Sequence, residues 1–140
     1  MLTNYTHNNQ KRINNIVGKP YSLLERVNMN GIASPEMEIT KASIQINNLL
    51  ILDQNIDSCN IELRPKGIII SFQKLLETYL LVIPYYKLSI YKGSLNTYSF
   101  FKDQYHIKIL APKQHKEIHQ FISKILSEKE KNTPTRIEDL

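Results

Sequence analysis

Between Met37 and Leu110 apolar and polar residues alternate in short runs broken by turn residues; beyond Pro112 the period lengthens to that of one amphipathic helix. Met37, Ile39 and then Ile44, Ile46 recur at spacing two, which predicts strand. After Asn47-Asn48 comes Leu49-Leu50-Ile51-Leu52, an apolar run too short for a stable helix and therefore read as a buried strand. Ile61 and Leu63 alternate with Glu62 and Arg64. Pro65-Lys66-Gly67 then offers a turn, and Ile68–Phe72 returns as a β-branched run, so these two segments form the clearest hairpin. Tyr79–Ile83 is the next buried strand. Pro84 cannot donate to a central ladder, so a bend or an edge is expected there. Beyond it Tyr86, Leu88 and Ile90 fall on one face of an extended chain and Tyr85, Lys87, Ser89 and Tyr91 on the other, one packed and one wet. Lys92-Gly93-Ser94 reads as a turn. The last two strands are Tyr98–Phe101 and His106–Leu110, linked through Lys102-Asp103-Gln104. Strands at this spacing predict a mainly β, α+β fold, an antiparallel meander curling into a sandwich or partly open barrel.

The closing helix is expected over Pro112–Lys131. Ile118, Phe121, Ile122, Ile125 and Leu126 follow one stripe at period 3.6, with Lys116, Glu117, Gln120, Lys124 and Glu128 opposite. That stripe is suited to capping the sheet. Residues 1–36 read as a partly irregular arm: Asn4, Asn8, Asn9, Asn14 and Asn15 favour turns, with Ile13, Ile16 and Val17 as its only anchors. Within it Ser22-Leu23-Leu24-Glu25 has capping-box spacing, enough for a helix of two turns that Gly31 would close, with an extended, sheet-joining segment as the alternative. The domain proper is expected over 37–131 and a flexible tail over 132–140.

Charge shifts the picture slightly. The chain carries 18 basic and 13 acidic side chains, a net +5, and residues 61–110 hold seven basic against three acidic. Such an excess is mostly ordinary surface solvation, with nucleic acid or an anionic membrane surface as the alternative partner it permits. One cysteine, Cys59, excludes an internal disulfide and suits a reducing compartment. The opening residues Met1 to Asn8 lack an apolar stretch behind basic residues, and the longest apolar run, Tyr79–Tyr86, is far shorter than a bilayer span, so a cytoplasmic protein is expected. Cys59, Asp103, His106, His115 and His119 are the chemically capable groups, but no catalytic pattern joins them. His115 and His119, four apart, have a metal-compatible spacing without a third ligand. A non-enzyme with no cofactor and no metal is the reading.

Val82-Ile83-Pro84-Tyr85-Tyr86-Lys87-Leu88-Ser89-Ile90-Tyr91-Lys92-Gly93 resembles the isoleucine-proline-tyrosine strand start of bacterial pleckstrin-homology-like domains. In that family it precedes a hairpin, a last strand and a closing helix, as Tyr98–Phe101, Ile107–Ile109 and Ile118–Leu126 do here. The resemblance covers roughly Met37–Glu130. It implies a non-enzymatic interaction domain making contact with an unknown protein or peptide, or with a second copy of itself. The wet face supplies the candidate binding residues Tyr85, Lys87 and Tyr91, and the turns supply Lys92 and Lys102.

Overall fold

The computed structural model describes residues 1–4 and 7–132; the expected tail, from Thr133 on, lies outside the described residues. Eight antiparallel strands form one sheet that is not closed into a barrel. They are β1 (Leu2–Asn4), β2 (Met37–Ala42), β3 (Ser58–Arg64), β4 (Gly67–Lys74), β5 (Glu77–Pro84), β6 (Ser89–Gly93), β7 (Thr97–Lys102) and β8 (Tyr105–Leu110), in the order β1-β5-β4-β3-β2-β8-β7-β6. Four helices accompany them: α1 (His7–Val17), α2 (Leu23–Asn28), α3 (Ile44–Leu50) and α4 (Lys116–Lys131). The sheet is therefore two three-stranded meanders, β3–β5 and β6–β8, with β2 inserted between them. It is less simple than the single meander expected.

Alternation gives the sheet a buried inner face. Met37 and Ile39, Cys59, Ile61 and Leu63, Ile68, Ile70 and Phe72, Leu81 and Ile83, Phe100, Ile107 and Ile109 all belong to one core. Ile118, Phe121, Ile122 and Ile125 of α4 pack into that core, each contributing about 1.5–3 kcal/mol by leaving water. Leu126, the fifth residue of the expected stripe, is half exposed. α4 begins at Lys116, later than the expected Pro112, with His115 at the N-cap position, where its side chain makes no capping bond. Two polar ties fix it: Lys124 Nζ donates to the carbonyls of Asn30 and Gly31, and His119 joins Tyr98.

Two expectations fail at the short apolar runs. Ile44–Leu50 is helix, not strand. Ser43 takes the N-cap position without a side-chain capping bond, its hydroxyl accepting from the His106 N–H, and Ile46 and Leu50, one turn apart, point into the core while Ile44 faces solvent. Packing of one side at helical spacing outweighs the β-branched residues. The arm is also more ordered than its asparagines suggest. β1 pairs with β5, and α1 lies on the outer side of β4 and β5, where Ile13 and Val17 meet Ile69, Leu80 and Val82 in a second cluster.

α1 is held at its C-terminal end. Gly18, at φ +87, lets the chain turn away and offers its carbonyl to Arg64 Nη1 at 2.9 Å, while Lys66 N–H donates to the Val17 carbonyl at 2.9 Å. Gly67 permits this approach: a Cβ there would collide with the Ile83 carbonyl and a Val17 methyl. α2 carries the expected capping box, reciprocal between Ser22 and Glu25, and ends with Asn30 at φ 58 and a Gly31 N–H to Arg26 carbonyl bond of 2.8 Å. Its apolar residues Leu23, Leu24 and Val27 all face solvent.

Candidate binding surface

Pro84 ends β5, and the chain then enters one 3-10 turn over Tyr85–Lys87 before β6 begins. That turn breaks the expected alternation and exchanges the two tyrosines. Tyr85, expected on the wet face, is buried: it packs in the main core and its hydroxyl donates to the Arg64 carbonyl at 3.1 Å. Burial pushes its phenol pKa well up. Tyr86, expected on the packed face, is 78% exposed. Tyr85 is thus a packing residue and leaves the candidate set. The other four lie at or near the surface. Lys87 is exposed, lies 5.9 Å from the Tyr86 ring centroid and 3.7 Å from the Asp103 carboxylate. Tyr91 and Lys92 stand on β6, which is an edge strand of the sheet. Lys102, half buried, ends β7 one residue before Asp103.

The register brings further residues to Tyr91 that were not singled out from the sequence. Tyr91 meets Phe101 edge-on at 5.5 Å between ring centroids, and Phe101 stacks on His106, its cross-strand partner, at 5.5 Å. Three rings on three neighbouring strands thus form one row on the outer face. Beside it Lys108 and Lys41 are direct cross-strand partners on β8 and β2. Like charges placed opposite one another repel. Neither lysine has an acidic partner among the described residues. Partial burial first, then the charges of Lys41 and Lys108, hold the His106 imidazole below its usual pKa of 6.5. Tyr91 and Phe101 keep 61% and 36% of their surface in water, in contrast to the outer side of β4 and β5, where α1 packs.

Elsewhere the ionisable groups are occupied by structure. Burial pushes the Cys59 thiol up to about 12, so it stays protonated near neutral pH. The Pro112 carbonyl can only accept, so His119 Nε2 donates to it at 2.9 Å and Nδ1 accepts from the Tyr98 hydroxyl at 2.8 Å. Both nitrogens of the expected His115–His119 pair's inner member are used. Among the described residues no group of three His, Cys, Asp or Glu is placed to share a metal ion, and no helix is long and apolar enough to cross a membrane. Lys74, 2% exposed, bonds Asp53 at 2.8 Å and Asp57 at 2.7 Å, tying the 53–57 loop to the end of β4. There the β4–β5 hairpin turns on Leu75 and Leu76, both at positive φ and both exposed.

No protein-family model matches the chain, and neither a curated protein nor a solved structure is significantly similar to it.

Proposed function

We propose that this chain is a non-enzymatic binding domain of pleckstrin-homology-like plan that contacts an acidic, extended protein segment through the β6 edge and the outer face beside it. The observation that carries this reading is the partly exposed row Tyr91–Phe101–His106 bordered by Lys41 and Lys108, with Lys92 at the same β6 edge but on the opposite face of the strand, across from Tyr98. An edge strand presents unpaired backbone N–H and C=O groups, so an added strand gains a ladder of hydrogen bonds. Aromatic rings give such a partner contact area at low entropic cost, and the lysines select acidic side chains. A second copy of this chain is the other protein partner the edge admits.

The test is fluorescence anisotropy of a labelled Glu-rich decapeptide titrated with the full chain, beside Tyr91→Ala and Lys92→Glu variants. Saturable binding that weakens in both variants is the expected result. Binding that ignores both variants overturns the site.

A second reading has its own support. The row of three rings, one pair edge-on and one stacked, beside two lysines without an acidic partner among the described residues also suits the bases and phosphates of a single-stranded nucleic acid. An oligothymidine probe separates the two, since phosphate-driven binding falls steeply as salt rises. Tighter binding of the oligonucleotide than of the peptide, lost on Phe101→Ala, would favour this second reading.

A further inference from the structure

The other outer face carries a separate concavity. Between α1, the segment that follows it, α2 and the outward side of β3–β5 lies a groove of about 320 Å³, at the small end of ligand cavities. Its floor is apolar: Ile13 of α1 against Ile69 and Leu80 of the sheet. Two guanidinium groups line it. Arg64 has an 11% exposed side chain; its Nε pairs with Glu62 and its Nη1 donates to Asn14 Oδ1 at 3.0 Å and to the Gly18 carbonyl, leaving Nη2 without a partner among the described residues. Among the described residues Arg26 donates only from Nε, to the Tyr21 carbonyl at 3.0 Å, so both its terminal nitrogens have no partner there. Glu62 offsets one of the two charges. The groove therefore keeps a single net positive charge over branched aliphatic side chains.

We infer that this groove binds a small amphiphilic carboxylate, its head on Arg26 with support from Arg64 Nη2 and its hydrocarbon on Ile13, Ile69 and Leu80. A planar carboxylate matches the terminal pair of Arg26 nitrogens bidentately. The apolar body gains by leaving water against a floor that is already formed. The arginines have different structural roles. Arg64 holds α1 on the sheet, so replacing it would disturb the groove itself. Arg26 is exposed on α2 and makes one backbone bond, so it is the residue to change.

The experiment is a titration of the full chain with octanoate, followed by methyl and arginine Nε–H NMR spectra. Saturable shifts of the Ile13, Ile69 and Leu80 methyls and of Arg26 are expected. Arg26→Gln should weaken binding at least about tenfold, the scale of one charge-assisted hydrogen bond pair, without altering the unfolding midpoint. Octylamine, with the same tail and opposite charge, should bind as poorly as octanoate binds the variant. Ser71→Leu, which fills the groove from β4, should abolish the shifts. Absence of saturable shifts at low millimolar octanoate would overturn the assignment. So would equal binding of octanoate and octylamine, or shifts confined to the exposed Leu23, Leu24 and Val27 of α2.

Discussion

On the β3–β5 half of the sheet the outward row is Ile69, Leu80 and Val82, and it lies under Ile13 and Val17 of α1. On the β6–β8 half the outward positions hold Tyr91 and Phe101, both exposed, and His106 and Lys108, both half-buried. The inner faces of the two halves share one core. The difference is therefore confined to what each half shows outward. One half satisfies its apolar surface internally, and its residues contribute to stability. The other keeps rings, and lysines with no acidic partner among the described residues, at the surface, where they stabilise the fold little. Aliphatic side chains suit the first task because they lose nothing by burial. Rings and ammonium groups suit the second because each retains a polar mode of contact when exposed.

Truncation should separate the halves most strongly. Ile69→Ala or Leu80→Ala removes buried side chains from under α1 and should cost about 2–4 kcal/mol in urea unfolding, whereas Tyr91→Ala should cost about 0.5 kcal/mol or less. Equal losses would dissolve the distinction. The Lys74 clasp comes next. Lys74→Met leaves Asp53 and Asp57 without their common cation and should cost about 2 kcal/mol, with faster amide exchange in residues 53–57. Lys74 and its hydrogen bonds hold the Asp53 carboxyl below its usual 3.8, so that contribution is present above 3.8 and is lost as pH falls through the lower folded-state value.

At the far end of the covered half, Ser22→Ala removes the reciprocal cap of α2 and should cost about 1 kcal/mol, sensed mainly by Glu25 and its neighbours. The smallest effect belongs to the bare half. The pKa of His106 is lowered on folding, so its neutral form stabilises the fold above 6.5, and this small gain is lost as pH falls through the lowered value. An anionic partner reverses that balance by favouring the imidazolium. Its affinity should rise as pH falls toward the lowered folded-state value, and His106→Gln should flatten the profile.

Much of the core half was legible in the chain. Pro65-Lys66 joins β3 to β4 with Arg64 opposite Gly67, and four of five stripe residues on α4 are buried. In each case a local pattern was long or had a specific turn residue. What stayed hidden depended on neighbours distant in sequence. Four apolar residues at 49–52 do not say whether a helix end or a strand will hold them; the helix from Ile44 buries Leu50 with Ile46, one turn earlier, and leaves Ile51 and Leu52 exposed. The Leu75-Leu76 turn contains neither Gly nor Asn, so nothing local announces positive φ. Period-two alternation placed Tyr85 outward, but it assumed an extended chain where Pro84 is followed by a 3-10 turn. Lys87, Tyr91, Lys92 and Lys102 were visible as surface. Phe101, Lys41 and Lys108 were not, because only cross-strand register joins β6, β7, β8 and β2.

The most direct test of the bare face is an amide shift map of the full ¹⁵N-labelled chain at low salt, titrated in parallel with a Glu-rich decapeptide and an oligothymidine. The expected outcome with at least one probe is a continuous patch through Tyr91, Lys92, Phe101, His106 and Lys108, with the amides of α1 unmoved. Shifts centred on α1, or none with either probe, would contradict the account.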